Sequence, residues 1–142
     1  MYKLSLLLLF ITIFSCKTSN LGPDQYKKSK VIFGSGGGFA GAYNEYTLLD
    51  DGRLFQMGKD KKTLTELKTL DKKFTGQVFN NIKTFGLDKM QRNEPQNIYY
   101  FIRYKSAKDS SNIIWSGQPT PDLNAANSIY KLLVEQTKSI AK

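Results

Sequence analysis

Apolar residues fall into three patterns along this chain. Leu4 to Phe14 is an almost unbroken run of Leu, Ile and Phe. From Val31 to Met57, and again from Ile98 to Trp115, the apolar residues come in short runs of strand length, bounded by turn residues. Residues 70–85 and 122–140 carry the 3.6-residue period of amphipathic helices.

Val31-Ile32-Phe33 reads as an opening strand. Ala42 to Leu49 is a second, with Tyr43, Glu45 and Thr47 on one face and Asn44, Tyr46 and Leu48 on the other. Asp50-Asp51-Gly52 is a hairpin turn signature, and Arg53 to Met57 returns as the partner strand. Thr63 to Leu67 is a candidate for one more short strand. Ile98 to Tyr104 is apolar or aromatic on both faces, as a central strand is, and Asn112 to Trp115 follows after a turn. Between these groups, Leu70 to Phe85 reads as a helix. Asp71 stands at its N-cap, Phe74, Val78, Ile82 and Phe85 form its apolar stripe, and Gly86 ends it. Asp122 stands where a cap for the final helix belongs, ahead of a stripe of Leu123, Ala126, Ile129, Tyr130, Leu133, Val134 and Ile140. These elements predict an α+β domain: an antiparallel sheet of four to five strands with two helices packed on one face, in the order β-β-(β)-α-β-β-α.

The N-terminal run has a different meaning. A membrane-spanning helix needs about 20 apolar residues, and Leu4 to Phe14 is shorter. With Lys3 before it and a small residue after it, the run has the form of a secretory signal. It closes on Ile13-Phe14-Ser15-Cys16, and Cys16 is the sole cysteine. This resembles the lipobox of bacterial lipoproteins. The resemblance implies cleavage before Cys16 and acylation of its thiol with palmitate-type chains. It further implies a chain held by lipid in the cell envelope, at the inner or the outer membrane. Residues 1–15 are then the signal peptide, residues 16–30 the lipidated cysteine and a flexible tether, and residues 31–142 a single domain.

Composition narrows the chemistry. One cysteine allows no disulfide within the chain, so the domain relies on its packing. Net charge is +9, and removing residues 1–15 removes Lys3 alone and leaves about +8. In an exported protein this favours anionic lipid or an acidic protein over nucleic acid. Histidine is absent, so there is no imidazole base, His–Cys or His–Ser pair, or His metal ligand. The acidic residues sit in turns and at caps or stand alone. The chain therefore reads as a binding protein rather than an enzyme, with no cofactor and with its oligomeric state open.

One motif remains. Ser35, Gly36, Gly37, Gly38, Phe39, Ala40 and Gly41 link the first two strands. Gly36 to Gly41 formally satisfies G-x-G-x-x-G, but a strand follows it where a nucleotide site needs a helix N-terminus. A simple turn needs one or two glycines. Four of them, with a single aromatic ring, suit a surface where another backbone comes close. Phe39 either turns into the core, the usual place for such a ring, or stands outward. Tyr99, Tyr100, Tyr104 and Trp115 likewise either join the core or form a stacking face for a partner.

The stretch Ser35 to Gly41, followed by a strand and an Asp-Gly turn, resembles the SGGFAG signature of the emfourin family. These are small protein inhibitors of thermolysin-like metallopeptidases. The similarity continues through Phe85-Gly-Leu-Asp88, the strand Tyr99 to Tyr104, a strand ending in Trp115 and a closing helix, and so spans roughly Val31 to Val134. This chain has three consecutive glycines, Gly36 to Gly38, where the signature has two. The resemblance implies a peptidase inhibitor whose partner-binding residues are Ser35 to Gly41, with Phe39 filling an apolar subsite. The alternative reading is a structural or interaction lipoprotein of the envelope with no inhibitory role.

Overall fold

The computed structural model describes residues 21–138. The expected signal peptide, Cys16 and Ile140 lie outside them. The chain order is β1 (Lys30–Gly37), β2 (Ala42–Leu49), β3 (Arg53–Met57), β4 (Leu64–Thr69), α1 (Lys72–Thr84), β5 (Gln91–Asn93), β6 (Ile98–Lys105), β7 (Asn112–Ser116) and α2 (Asn124–Lys138). It is an α+β arrangement. The strands form one seven-stranded sheet in the order β4-β3-β2-β1-β6-β7-β5.

The sheet is larger than the four to five strands expected, and it is mixed rather than antiparallel. β5 is the reason for the second difference, because it pairs parallel with β7. Its sequence is Gln91-Arg92-Asn93, too short and too polar to carry an alternation signal. β4 extends the candidate strand through Thr69, and β1 extends through the first glycines to Gly37.

Register places the side chains. Val31 pairs with Leu48 and Tyr104, and Phe33 with Tyr46 and Ile102. Alternation then puts all of these on one face of the sheet. Both helices cover that face. Val78, Phe79 and Ile82 from α1 and Ala126, Ile129 and Leu133 from α2 join the strand residues in one core. Tyr104 and Trp115 are fully buried in it, which resolves two of the four candidate stacking residues as core. Tyr100 packs on the same face, where its ring meets Trp115 at 6.0 Å and Tyr130 at 5.4 Å. The seven strands, the two helices and the core named here are all formed within residues 21–138.

The helix ends show one agreement and two corrections. Asp71 caps α1, its carboxylate accepting the N–H groups of Lys73 at 2.8 Å and Phe74 at 3.0 Å. Phe85 does not complete the apolar stripe. It sits at the C-cap, 57% exposed, while Leu87 turns back and is buried. Asp122 does not cap α2. It lies in a single 3-10 turn, Pro121–Leu123, accepts the Thr120 hydroxyl and pairs with Arg92 at 2.6 Å.

Residues 21–29, within the stretch read as a tether, lie against the start of the sheet. Pro23 is buried, and its carbonyl accepts from Lys30 Nζ at 2.5 Å. The Tyr26 hydroxyl donates to Asp50, and the Ser29 carbonyl accepts from the Asp50 N–H at 3.0 Å.

Candidate functional site

The glycine segment splits into two parts with different roles. Gly34 to Gly37 are strand residues paired on both sides, with β2 and with β6. Gly34 and Gly36 face the side of the sheet that no helix covers. Gly34 is opposite Phe101, and Gly36 is opposite Tyr99. A Cβ on Gly34 would come within 2.8 Å of Phe101 Cζ and would collide with the Asn44 carbonyl. A Cβ on Gly36 would run into the Tyr99 ring at its Cζ, 2.5 Å away. These glycines let two aromatic rings lie across the backbone of β1, an arrangement in which a neighbouring ring fills the gap left by a strand glycine.

That cover buries a sheet face without a helix. Phe101 is completely inaccessible. Tyr43 stacks on it with 5.8 Å between centroids, Tyr99 at 6.4 Å, and the Arg103 guanidinium lies 4.4 Å from its ring centre. Arg103 also pairs with Glu45 at 3.4 Å and donates to Asn112 Oδ1 at 3.0 Å. The Tyr43 hydroxyl donates to Glu45. Partial burial and that carboxylate push the Tyr43 phenol up to about 12.

The second part is the tip. Gly38-Phe39-Ala40-Gly41 joins the last β1–β2 pair, Gly37 with Ala42. The Gly41 N–H donates to the Gly38 carbonyl at 3.0 Å, which closes a tight turn. Gly38 and Gly41 have φ of +78° and +59°, values that L side chains rarely adopt. The Gly38 N–H is tied to the Asn97 carbonyl at 2.7 Å, so the base of the tip is anchored to the residue before β6. Phe39 stands at the apex and is fully exposed. The core placement open to it from sequence is not the one adopted. Among the described residues nothing covers its ring.

The seven candidate residues therefore do not form one surface. Phe39, Ala40 and Gly41 are exposed, Gly36 is a buried strand position, Gly37 and Gly38 are half-buried, and Ser35 is half-buried on the face of β1 that the helices cover. Two further elements reach the same pole and were not among the sequence candidates. Ile98, opposite Gly37, is 54% exposed. The β3–β4 loop carries Lys59, Lys61 and Lys62, all exposed. Gly41, Ala42, Tyr43, Asn44, Lys59 and Lys61 line a shallow groove between the two hairpins. Lys61 Nζ sits 5.3 Å over the Tyr43 ring, with its own backbone at φ +55°.

Asp60 keeps that loop in shape. Its carboxylate accepts the Thr63 hydroxyl and the N–H groups of Lys62 and Thr63, both at 3.0 Å. The Thr63 hydroxyl, more than the two backbone donors, holds its pKa down at about 2. The lysines beside it are left to present positive charge outward.

Protein-family models give no match to this chain, and curated proteins give none either. The site is therefore read from its geometry. Among the described residues no three of His, Cys, Asp and Glu gather to hold a metal, and no helix is long and apolar enough to cross a membrane. The open-face carboxylate Glu45 is already engaged by Tyr43 and Arg103, and Asp122 by Thr120 and Arg92. What this pole offers is an exposed ring on a narrow backbone, flanked by a second apolar side chain and by cations.

Proposed function

We propose that this protein is a binding module that inhibits a thermolysin-like metallopeptidase at the cell envelope, with the β1–β2 tip as the inserting element. The observation that carries the reading is Phe39, fully exposed at the apex of a turn whose neighbours have little or no side chain. A slender hairpin enters a cleft with few clashes, and a single aromatic anchor in a pocket is the usual centre of binding energy. The base of the tip is held by the Asn97 carbonyl and by pairing on both sides of β1, which limits the ordering entropy lost on binding. Lys59, Lys61 and Lys62 beside the groove fit a partner with an apolar pocket and an acidic rim. The emfourin resemblance and the lipobox at Cys16 add the peptidase class and the membrane location to this reading.

The test is inhibition kinetics with the domain from residue 17 onward against a thermolysin-like enzyme. Slowing at micromolar domain that is lost in Phe39→Ala supports the proposal. No slowing at that concentration overturns the inhibitory role for this class of enzyme. An envelope partner captured by the wild-type domain and not by Phe39→Ala, without inhibition, would leave the alternative of an interaction lipoprotein.

A further inference from the structure

The pole opposite Phe39 is basic, and we propose that it is a docking surface for the anionic headgroups of a phospholipid bilayer, with Phe39 turned away from the membrane. β1 has 8 residues and runs from Lys30 at one pole to Gly37 at the other. At a rise of about 3.3 Å per residue its ends stand roughly 23 Å apart.

Around the Lys30 end lie two adjoining open clefts that share Ser29, Asp50 and Lys83, one of them lined also by Lys27, Lys28, Lys108 and Asp109. Three parts of the chain supply these lysines: the segment before β1, the last turn of α1, and the β6–β7 turn. All four are exposed, and none forms an ion pair among the described residues. Of the carboxylates at this pole, Asp24 is exposed and acts on Lys30. Asp50 accepts the Tyr26 hydroxyl and the Ser29 N–H, and Asp109 pairs with Lys89 at 3.9 Å. Lys105 lies directly across from Lys30. Burial first, and then this like charge, lowers the Lys30 pKa. The protein thus gathers cations here and leaves their charge for an external anion.

A second observation separates a bilayer from a soluble anion. Phe85 is 57% exposed, two residues after the cleft lysine Lys83 and four before Lys89, the partner of cleft-lining Asp109. An apolar ring among lysines suits the boundary between headgroups and acyl chains. The chain outside the described residues also joins the domain at this pole, since Pro23 is bonded to Lys30. Those first 20 residues contain the apolar run Leu4 to Phe14 and Cys16. The surface uses no residue of the Phe39 tip and does not require acylation of Cys16.

The test is cosedimentation of the domain from residue 17 onward, which retains every strand and both helices of the described residues. The vesicles are phosphatidylglycerol mixed with phosphatidylcholine, or phosphatidylcholine alone. Binding is expected on the anionic vesicles only, at least tenfold weaker in 0.5 M salt. Each lysine near such a surface contributes roughly fivefold, so Lys83→Glu with Lys108→Glu should lower binding at least tenfold. Phe85→Ser should weaken it severalfold, and Phe39→Ala should leave it unchanged. Circular dichroism melts check that the variants fold. Equal binding to neutral vesicles, or wild-type binding by the double lysine variant, would overturn the proposal. So would inorganic phosphate binding measured by calorimetry in the absence of vesicle binding. Because Phe39→Ala and the lysine variants act at opposite poles, failure of this proposal and failure of the inhibitor reading are separately visible.

Discussion

Gly34 and Phe101 face each other directly across β1 and β6, and the missing side chain of the first is the space that the ring of the second occupies. The pair explains how an aromatic ring is wholly buried on a sheet face that carries no helix. It also sets the first expectation. Gly34→Ala places a methyl group against Phe101 and the Asn44 carbonyl, so the strand or the ring must shift. The expected loss is about 2–3 kcal/mol of stability in urea unfolding. An unchanged midpoint would mean that the ring does not lie on this glycine.

Gly76 makes the opposite case. It is an exposed position within α1, with negative φ, and a Cβ there meets nothing within 4 Å. Gly76→Ala should stabilise the domain by about 0.5–1 kcal/mol through helix propensity and a smaller unfolded-state entropy. The same urea titration reads it.

Phe39 is expected to separate stability from binding. Its ring touches no core, so Phe39→Ala should change unfolding free energy by less than about 0.5 kcal/mol. Partner affinity should fall at least tenfold, as for a central aromatic anchor. A large drop in stability would place the ring in packing contact and remove the basis for its role.

Lys59, Lys61 and Lys62 should act mainly on the rate of association. Replacing all three by Glu is expected to slow association with an acidic-rimmed partner at least tenfold at low salt, with a smaller effect on dissociation. Stopped-flow mixing at two salt concentrations distinguishes steering from direct contact.

Two titrations follow from the hydrogen bonds at this pole. The Asp60 pKa is depressed from 3.8 to about 2. Its folded-state advantage is therefore present above pH 4 and is lost as the pH falls through about 2. Carboxyl-carbon NMR should show Asp60 still ionised at pH 3, and Thr63→Val should move it back towards 3.8. Tyr43 has the reverse sign. Its pKa is raised from 10.0 to about 12, so its contribution is intact below pH 10 and is lost as the pH rises through about 12. Phenolate absorbance should show a late-titrating tyrosine that is missing in Tyr43→Phe.

Much of the element order was legible along the chain. The Asp71 cap, the Gly86 stop and the turn at Asp50-Asp51-Gly52 are local signals. Each specifies a backbone geometry within a few residues of itself. β5 was not legible, because three polar residues become a strand only when β7 lies beside them. Asp122 had the composition of a cap, yet Arg92, thirty positions earlier, draws it into an ion pair. Phe85 fitted the spacing of a stripe, but α1 ends at Thr84 and the chain turns before that ring can reach the core.

The glycine segment shows the same boundary between local and tertiary information. By itself the sequence determined that Ser35 to Gly41 is rich in glycine, that it joins two strands, and that a strand follows it where a nucleotide motif has a helix. These follow from residue type and neighbours alone. Only the tertiary structure decided which glycines make room for Tyr99 and Phe101 and which form the tip that exposes Phe39. The physical reason is that a glycine gives up two different things, a steric constraint on φ and a side chain's volume. Which one the fold uses depends on what packs against it from a distant part of the chain.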